Sequence, residues 1–165
     1  PAGEHGLYSN SEGFYEEFFR TPCLLLWPGR VAPRVIEVSC SQLDVAPTIL
    51  DLLNIQTSNH FEGDSIFLAS DPSRVVPLVQ PYLNGYLAVV SYPYKYVFHL
   101  NDKMEYLFNL AVDPGERSNI VRREENSDVA QRLRTNVNAL LWHETILEEN
   151  RVWPPPGGRQ YEEAN

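Results

Sequence analysis

Tyr86-Leu87-Ala88-Val89-Val90-Ser91-Tyr92-Pro93-Tyr94-Lys95-Tyr96-Val97-Phe98-His99-Leu100 is the stretch that decides the second half of the chain. It reads as two short β-branched and aromatic runs broken at Tyr92-Pro93. Such residues suit a pleated, half-buried surface. Segments 75–79 and 105–110 have the same character, and Asn84-Gly85 and Asn101-Asp102 supply two further breaks. Four short runs punctuated this way predict an antiparallel meander, with Asn101-Asp102 as a hairpin turn.

Downstream, Asp113-Pro114-Gly115 makes another turn. Ser127 is expected to cap a long helix, with Asp128 in its first turn. Val129, Leu133, Val137, Leu140, Leu141 and Leu147 form its apolar stripe, and Arg132 and Arg134 are expected in solvent. Residues 151–165, beginning with Arg151-Val152-Trp153 and three prolines, read as a tail without its own fold.

Upstream the pattern changes. Cys23-Leu24-Leu25-Leu26-Trp27 is an apolar run without alternation, closed by Pro28-Gly29. Such a run predicts a strand buried on both faces, the habit of a parallel sheet. Residues 31–38 are expected to be extended, Val35-Ile36-Glu37-Val38 being the best strand segment. A helix follows, with Asp44 as N-cap and Pro47 in its first turn. Ala46, Ile49, Leu50 and Leu53 would form its core face, and Asn54 its stop. Residues 12–20 predict a short helical turn, and 69–73 a linker. The predicted fold class is therefore α/β plus α+β. Residues 1–70 form a terminal strand–helix part of a parallel α/β domain. Residues 74–150 form a small antiparallel sheet with a long helix. A buried parallel strand needs neighbours for both ladders, so the first part is either short of partners or rearranged.

The chain has 165 residues, a net charge of −9, 43% hydrophobic and 12% aromatic residues, which together exclude global disorder. The acidic balance argues against a nucleic-acid partner, which needs clustered Lys and Arg. No apolar run approaches the roughly 18 residues of a spanning helix, so no membrane segment is expected. Pro1-Ala2-Gly3-Glu4-His5 lacks a basic region followed by an apolar stretch, so no signal peptide is expected here. Two cysteines are too few for a disulfide scaffold or a zinc knuckle. Cys23 and Cys40 have no basic neighbour to activate them and read as inert core thiols.

Candidate chemistry is sparse. His60, His99 and His143 show no metal spacing and read as structural or solvated. Gly3-Glu4-His5-Gly6 leaves two readings open: a loop placing His5 at a pocket edge as acid, base or anion contact, or a structural turn. Glu16-Glu17, Glu124-Glu125 and Glu148-Glu149 read as exposed faces and helix-end charges. There is no nucleophile elbow, phosphate loop or metal-ligand cluster, so the residues alone supply no catalytic residue in this chain.

The order of the segments carries more. Gly3-Glu4-His5-Gly6-Leu7-Tyr8, then Tyr15-Glu16-Glu17 with Arg20 and Pro22, then Pro28-Gly29, resemble the sulfatase stretch GEHGLY…YEE..R.P…PG. Asp44-Val45-Ala46-Pro47-Thr48-Ile49-Leu50-Asp51 resembles the family's DLAPTLLD helix, and Glu62-Gly63-Asp64-Ser65-Ile66 its DG.SL turn. Tyr94-Lys95-Tyr96 is similar to its KY strand. Tyr106-Leu107-Phe108-Asn109-Leu110, followed by Asp113-Pro114-Gly115-Glu116 and Asn119, is similar to LYDL..DPGE..N. In this order they make the chain resemble the C-terminal third of a sulfatase, in the alkaline-phosphatase-like superfamily.

The resemblance implies a division into 1–70, the edge of the α/β catalytic domain, 74–150, the small C-terminal domain, and 151–165, a tail. It implies an upstream sulfatase domain as partner, which would carry Ca²⁺ and a formylglycine nucleophile made from the cysteine of C-x-P-S-R. It implies a small-molecule or glycan sulfate ester as substrate, action outside the cytosol, and inactivity of this chain alone. A basic family residue just after the GLY segment reaches a substrate oxygen. Asn10 takes that place in one register and Ser11 in another, and neither is basic. His5, Asn10 and Ser11 are thus the substrate-contact candidates. Two other readings remain: a phosphoester-processing relative (a phosphoglycerol transferase or phosphonate monoester hydrolase), and a non-catalytic binding module using a sheet face with Tyr82, Tyr86, Tyr92 and Tyr94.

Overall fold

A computed structural model describes residues 4–8, 13–36, 38–56, 61–68, 73–80 and 85–149. The four predicted strands form as an antiparallel sheet in the order β1-β2-β3-β4: Val76–Gln80, Tyr86–Ser91, Tyr94–His99 and Glu105–Asn109. Register follows the two-residue turn Tyr92-Pro93, which sets Ser91 opposite Tyr94 and Leu87 opposite Phe98. Between β3 and β4 the chain turns over residues 100–104, with Lys103 donating to the His99 carbonyl and His99 to that of Met104.

The period of two sorts side chains onto two faces. Leu87, Val89, Tyr96 and Leu107 point to one face, where Ala130, Leu133 and Val137 of the long helix α3 (Ser127–Glu149) cover them. Ala88, Val97 and Phe108 point to the other, where Phe14 covers them with Tyr15 and Phe19 alongside. A short helix α1 (Glu16–Phe19) carries the end of that cover. The sheet is therefore buried on both sides. That removes the open tyrosine face required by a binding module: Tyr86 and Tyr94 pack against the two cores. Tyr92 stays 54% exposed, at the turn. Tyr82 lies outside the described residues.

α3 starts differently from the prediction. A 3₁₀ turn, Glu124–Asn126, feeds it, and Ser127 is already helical (φ −55°, ψ −46°), so it does not cap. Arg134 is not free in solvent. Its Nε and Nη2 donate to both oxygens of Glu105, at 2.9 and 2.6 Å, fastening α3 to β4. That fork is the first cause holding the Glu105 carboxyl below its usual range.

The N-terminal part departs further. Residues 23–27 form no strand, and Leu24 and Leu26 are 81% and 77% exposed. No strand forms over the described part of 31–38, and Val35 is 85% exposed. An unalternating run is stable as a strand only between two neighbours, and the sheet of the described residues offers none there. Both cysteines are exposed and are not core thiols. Helix α2 (Val45–Leu52) forms, but Ile49 and Leu53 are half exposed, while Thr48 and Asp44 are buried. Its stop is as predicted. Asn54 takes φ 54°, Ile55 donates to Leu50 and Asn54 to Asp51, the paired bonds of a Schellman turn. No helix of the described residues is long and apolar enough to cross a membrane.

These burials separate two leucines that look alike in sequence. Leu133→Ala should cost roughly 2–5 kcal/mol, because Leu133 is fully buried. Leu24→Ala should stay within about 0.5 kcal/mol. Urea denaturation of the 165-residue chain measures both. Equal losses would show that residues 23–27 are packed.

Candidate functional site

The segments that carry the resemblance meet at two buried ionic joints. The first is built on Lys95. Strand alternation puts it on the face covered by α1, beside Val97, and it is fully buried. A buried ammonium must be paired and hydrogen-bonded. Its Nζ lies 2.9 Å from Oε1 of Glu116 and 3.1 Å from Oε1 of Glu16, and 5.7 Å from the centre of the Phe19 ring. Glu116 reaches it from the Asp113-Pro114-Gly115 turn. Glu116 has φ 48°, in the left-handed region that costs an ordinary residue about 1–2 kcal/mol. Its other oxygen accepts from the Glu16 amide at the first position of α1. Burial pushes the Glu116 carboxyl above its usual value, against the pull of Lys95.

His5 sits beside this joint, between glycines, with φ 54°. Its Nδ1 is 2.7 Å from Oε1 of Glu17, and its Nε2 2.8 Å from the Gly115 carbonyl oxygen. Its ring stacks on Tyr15 at 3.7 Å and 3°. Burial works against its charge, but the bonds to Glu17 and Gly115 outweigh this and hold its pKa above the ordinary value. Both ring nitrogens are thus engaged by the chain itself. Of the three substrate-contact candidates, only His5 is described. Asn10 and Ser11 lie outside the described residues.

The same loop closes the sheet. Asp113 accepts from the Arg117 and Ser118 amides. Asn119 accepts from the Leu107 amide and donates to the Glu105 carbonyl, and Ile120 donates to the Leu107 carbonyl. The free edge of β4 is covered in this way.

The second joint is Asp44. Ser41 and Asp44 form a capping box, Leu43 donating to the Ser41 hydroxyl and Ser41 to the Asp44 carboxylate. Asp44 also accepts from Arg74 and from the Asp64 amide at 3.0 Å. Thr48 accepts from the Ile66 amide, and Ser65 donates to Asp51. Gly63 passes so close to the Leu43 carbonyl that any Cβ would overlap it. Burial alone would raise the Asp44 carboxyl, but the Ser41, Arg74 and Asp64 donors bring it below its usual value.

Sequence reasoning placed Glu16 and Glu17 on an exposed face. Their side chains are 23% and 18% exposed, Glu16 being paired with Lys95 and Glu17 lying 2.7 Å from the His5 ring nitrogen. The available signal was Lys95 itself, a lone cation at an inward position between Tyr94 and Tyr96. Arg30, Arg34, Asp51 and Phe67 line an open groove of about 360 Å³, Arg34 lying 4.4 Å over the Phe67 ring. Among the described residues no three His, Cys, Asp or Glu side chains converge as a metal ligand set. The described residues therefore offer no ligand set that fits a calcium ion.

Residues 3–74 match the family model for the C-terminal part of N-sulphoglucosamine sulphohydrolase. The chain carries a sulfatase C-terminal region. It is 32% identical over 133 residues to a choline-sulfatase of Rhizobium meliloti, covering 72% of this chain and 24% of that protein. It is 27% identical over 138 residues to an N-acetylgalactosamine-6-O-sulfatase of Bacteroides thetaiotaomicron, covering 72% and 27%. It therefore spans about a quarter of the length of these relatives. In fold it is similar to a 2-O GAG sulfatase (TM-score 0.52, 23% identity, 65% of this chain and 26% of that one). It is also similar to a putative sulfatase from Bacteroides thetaiotaomicron (TM-score 0.51, 23%, 65% and 25%). In this chain the motifs that carry the resemblance are joints that hold loops to a sheet.

Lys95→Met should cost roughly 3–5 kcal/mol, because two carboxylates lose their shared cation. Adding Glu116→Gln should restore part of the loss. Denaturation at neutral pH measures both, and a single-variant loss under about 1 kcal/mol would dismiss the joint.

Asp44 has a lowered pKa, so its contribution is complete above about 3.8 and is lost as pH falls through that value toward its folded one. Asp44→Asn should therefore destabilise the chain at pH 7 and lessen its acid sensitivity. A stability–pH curve unchanged in slope would count against this.

Proposed function

We propose that this chain is the C-terminal part of a hydrolase of sulfate esters and is inactive by itself. The observation that carries the reading is the convergence of the GEHG, YEE, KY and DPGE segments on Lys95 and His5. That convergence gives the resemblance a physical basis in one shared joint. The family match and the sulfatase relatives support it over the phosphoester and binding-module readings.

In this reading 1–70 completes an upstream α/β domain, 74–150 is a small domain and 151–165 is a tail. Leu24, Leu26, Val35, Ile49, Leu53 and Leu68 are all exposed in the first part, which suits packing against missing strands and helices. The upstream domain would supply the formylglycine and the Ca²⁺. The substrate is a small-molecule or glycan sulfate ester. Asn10 and Ser11 would donate neutral hydrogen bonds to it where the family uses a basic side chain, and His5 would anchor the turn that precedes them in the sequence.

The test compares hydrolysis of an aryl sulfate by the 165-residue chain with hydrolysis by the same chain continued by the sequence that precedes Pro1 in its gene. Activity is expected only in the second. In that longer protein Asn10→Ala should raise KM about tenfold, the loss of one good hydrogen bond. Turnover by the short chain would refute its inactivity. No sulfate hydrolysis by the long one, with phosphoester cleavage in its place, would favour the phosphoester reading.

A further inference from the structure

Donor arithmetic at His5 points beyond a structural turn. A neutral imidazole has one N–H. Here each ring nitrogen faces an oxygen that can only accept: the Glu17 carboxylate at 2.7 Å and the Gly115 carbonyl at 2.8 Å. Both contacts are hydrogen bonds only when both nitrogens carry protons. A neutral ring that keeps its proton toward Gly115 sets its lone pair against a carboxylate oxygen; the other tautomer sets it against the carbonyl.

Burial opposes the charge, and the bonds to Glu17 and Gly115 outweigh it. Tyr15, before α1, lies flat against the ring at 3.7 Å, a face that attracts cations. Glu17 and Glu16 belong to α1, Lys95 to β3, and Glu116 to the loop after β4. Arg117 borders Gly115 in that loop. In the joint proper, Lys95 is shared by Glu16 and Glu116, and Glu17 meets the His5 ring, so an imidazolium would give that carboxylate its cation. Asp113 is already committed to the Arg117 and Ser118 amides.

We propose that His5 is a proton-dependent clasp, fastening the Glu4–Gly6 turn to the Asp113-Pro114-Gly115 turn as an imidazolium and releasing it when deprotonated. The contact joins residues 110 apart in the chain. His5 is raised above its ordinary value of 6.5. The clasp is therefore at full strength below about 6.5 and is lost as pH rises through the folded value. The device fixes the Glu4–Gly6 turn in mildly acidic conditions and frees it in alkaline ones. It stands independently of the substrate assignment above.

The test is a ¹⁵N-imidazole titration of the 165-residue chain, the His5 signal being assigned by its loss in His5→Gln. His5 should remain doubly protonated above pH 6.5. Glu17→Gln should lower its midpoint without unfolding the chain. Hydrogen-exchange protection at the Glu116 amide, which donates to Asp113, should fall about tenfold across the His5 midpoint and should be flat with pH in Glu17→Gln. A His5 midpoint at or below 6.5, a midpoint unmoved by Glu17→Gln, or protection indifferent to the titration would each overturn the proposal. If His5→Gln fails to fold, the Glu17→Gln titration decides alone, with His5 assigned through its own backbone.

Discussion

One ammonium group organises this chain. Lys95 Nζ is shut away from water on a sheet face otherwise made of Ala88, Val97 and Phe108. An uncompensated charge there would cost far more than any single apolar contact returns. Two carboxylates from distant segments must therefore arrive together. Glu16 brings α1, and with it Phe14 and Phe19 as the cover of the sheet. Glu116 brings the Asp113 turn, and with it Asn119 as the cover of the β4 edge. The left-handed backbone at Glu116 is consistent with this order of demands, since local strain persists only where the surroundings fix it.

That hierarchy explains what the sequence discloses. The meander is legible because alternation and turn residues are local properties, and local rules decide a hairpin. Helix α3 is legible for the same reason, through Leu133 and Val137 at helical spacing, and so is the Asn54 stop. Glu16 and Glu17 are not legible as joint residues. Nothing nearby in sequence distinguishes a solvated carboxylate from one awaiting a lysine 79 residues away. Arg134 poses the same problem, its partner Glu105 lying 29 residues upstream. The family resemblance reached these positions only as a pattern of letters, without assigning them a physical task.

The residues 20–36 show the opposite failure. The run Cys23-Leu24-Leu25-Leu26-Trp27 has the composition of a doubly buried strand, and composition states a demand that other strands must meet. With none beside it among the described residues, Cys23, Leu24 and Leu26 lie exposed. Asp44 holds its own region by a different principle. Its donors come from residues 41, 64 and 74, so the α2 region closes on itself through hydrogen bonds while its apolar face, Ile49 and Leu53, stays open. A segment can thus be locally well tied and still lack its main packing partner.

The two joints differ in how they answer to pH, and the difference follows from their donors. Asp44 is served by backbone amides and a guanidinium, none of which changes charge near neutrality, so only strong acid disturbs it. The Lys95 joint includes a histidine, whose donor count itself depends on pH. If His5 were a lysine, its charge would hold to high pH, but a tetrahedral ammonium could not reproduce the flat stack on Tyr15. If it were an asparagine, the stack and the charge would both be lost. The His5 imidazole satisfies a carboxylate, a carbonyl and an aromatic face at once only when both of its nitrogens carry protons. The geometry that makes His5 the best fit for that position is therefore also what makes the position sensitive to protons.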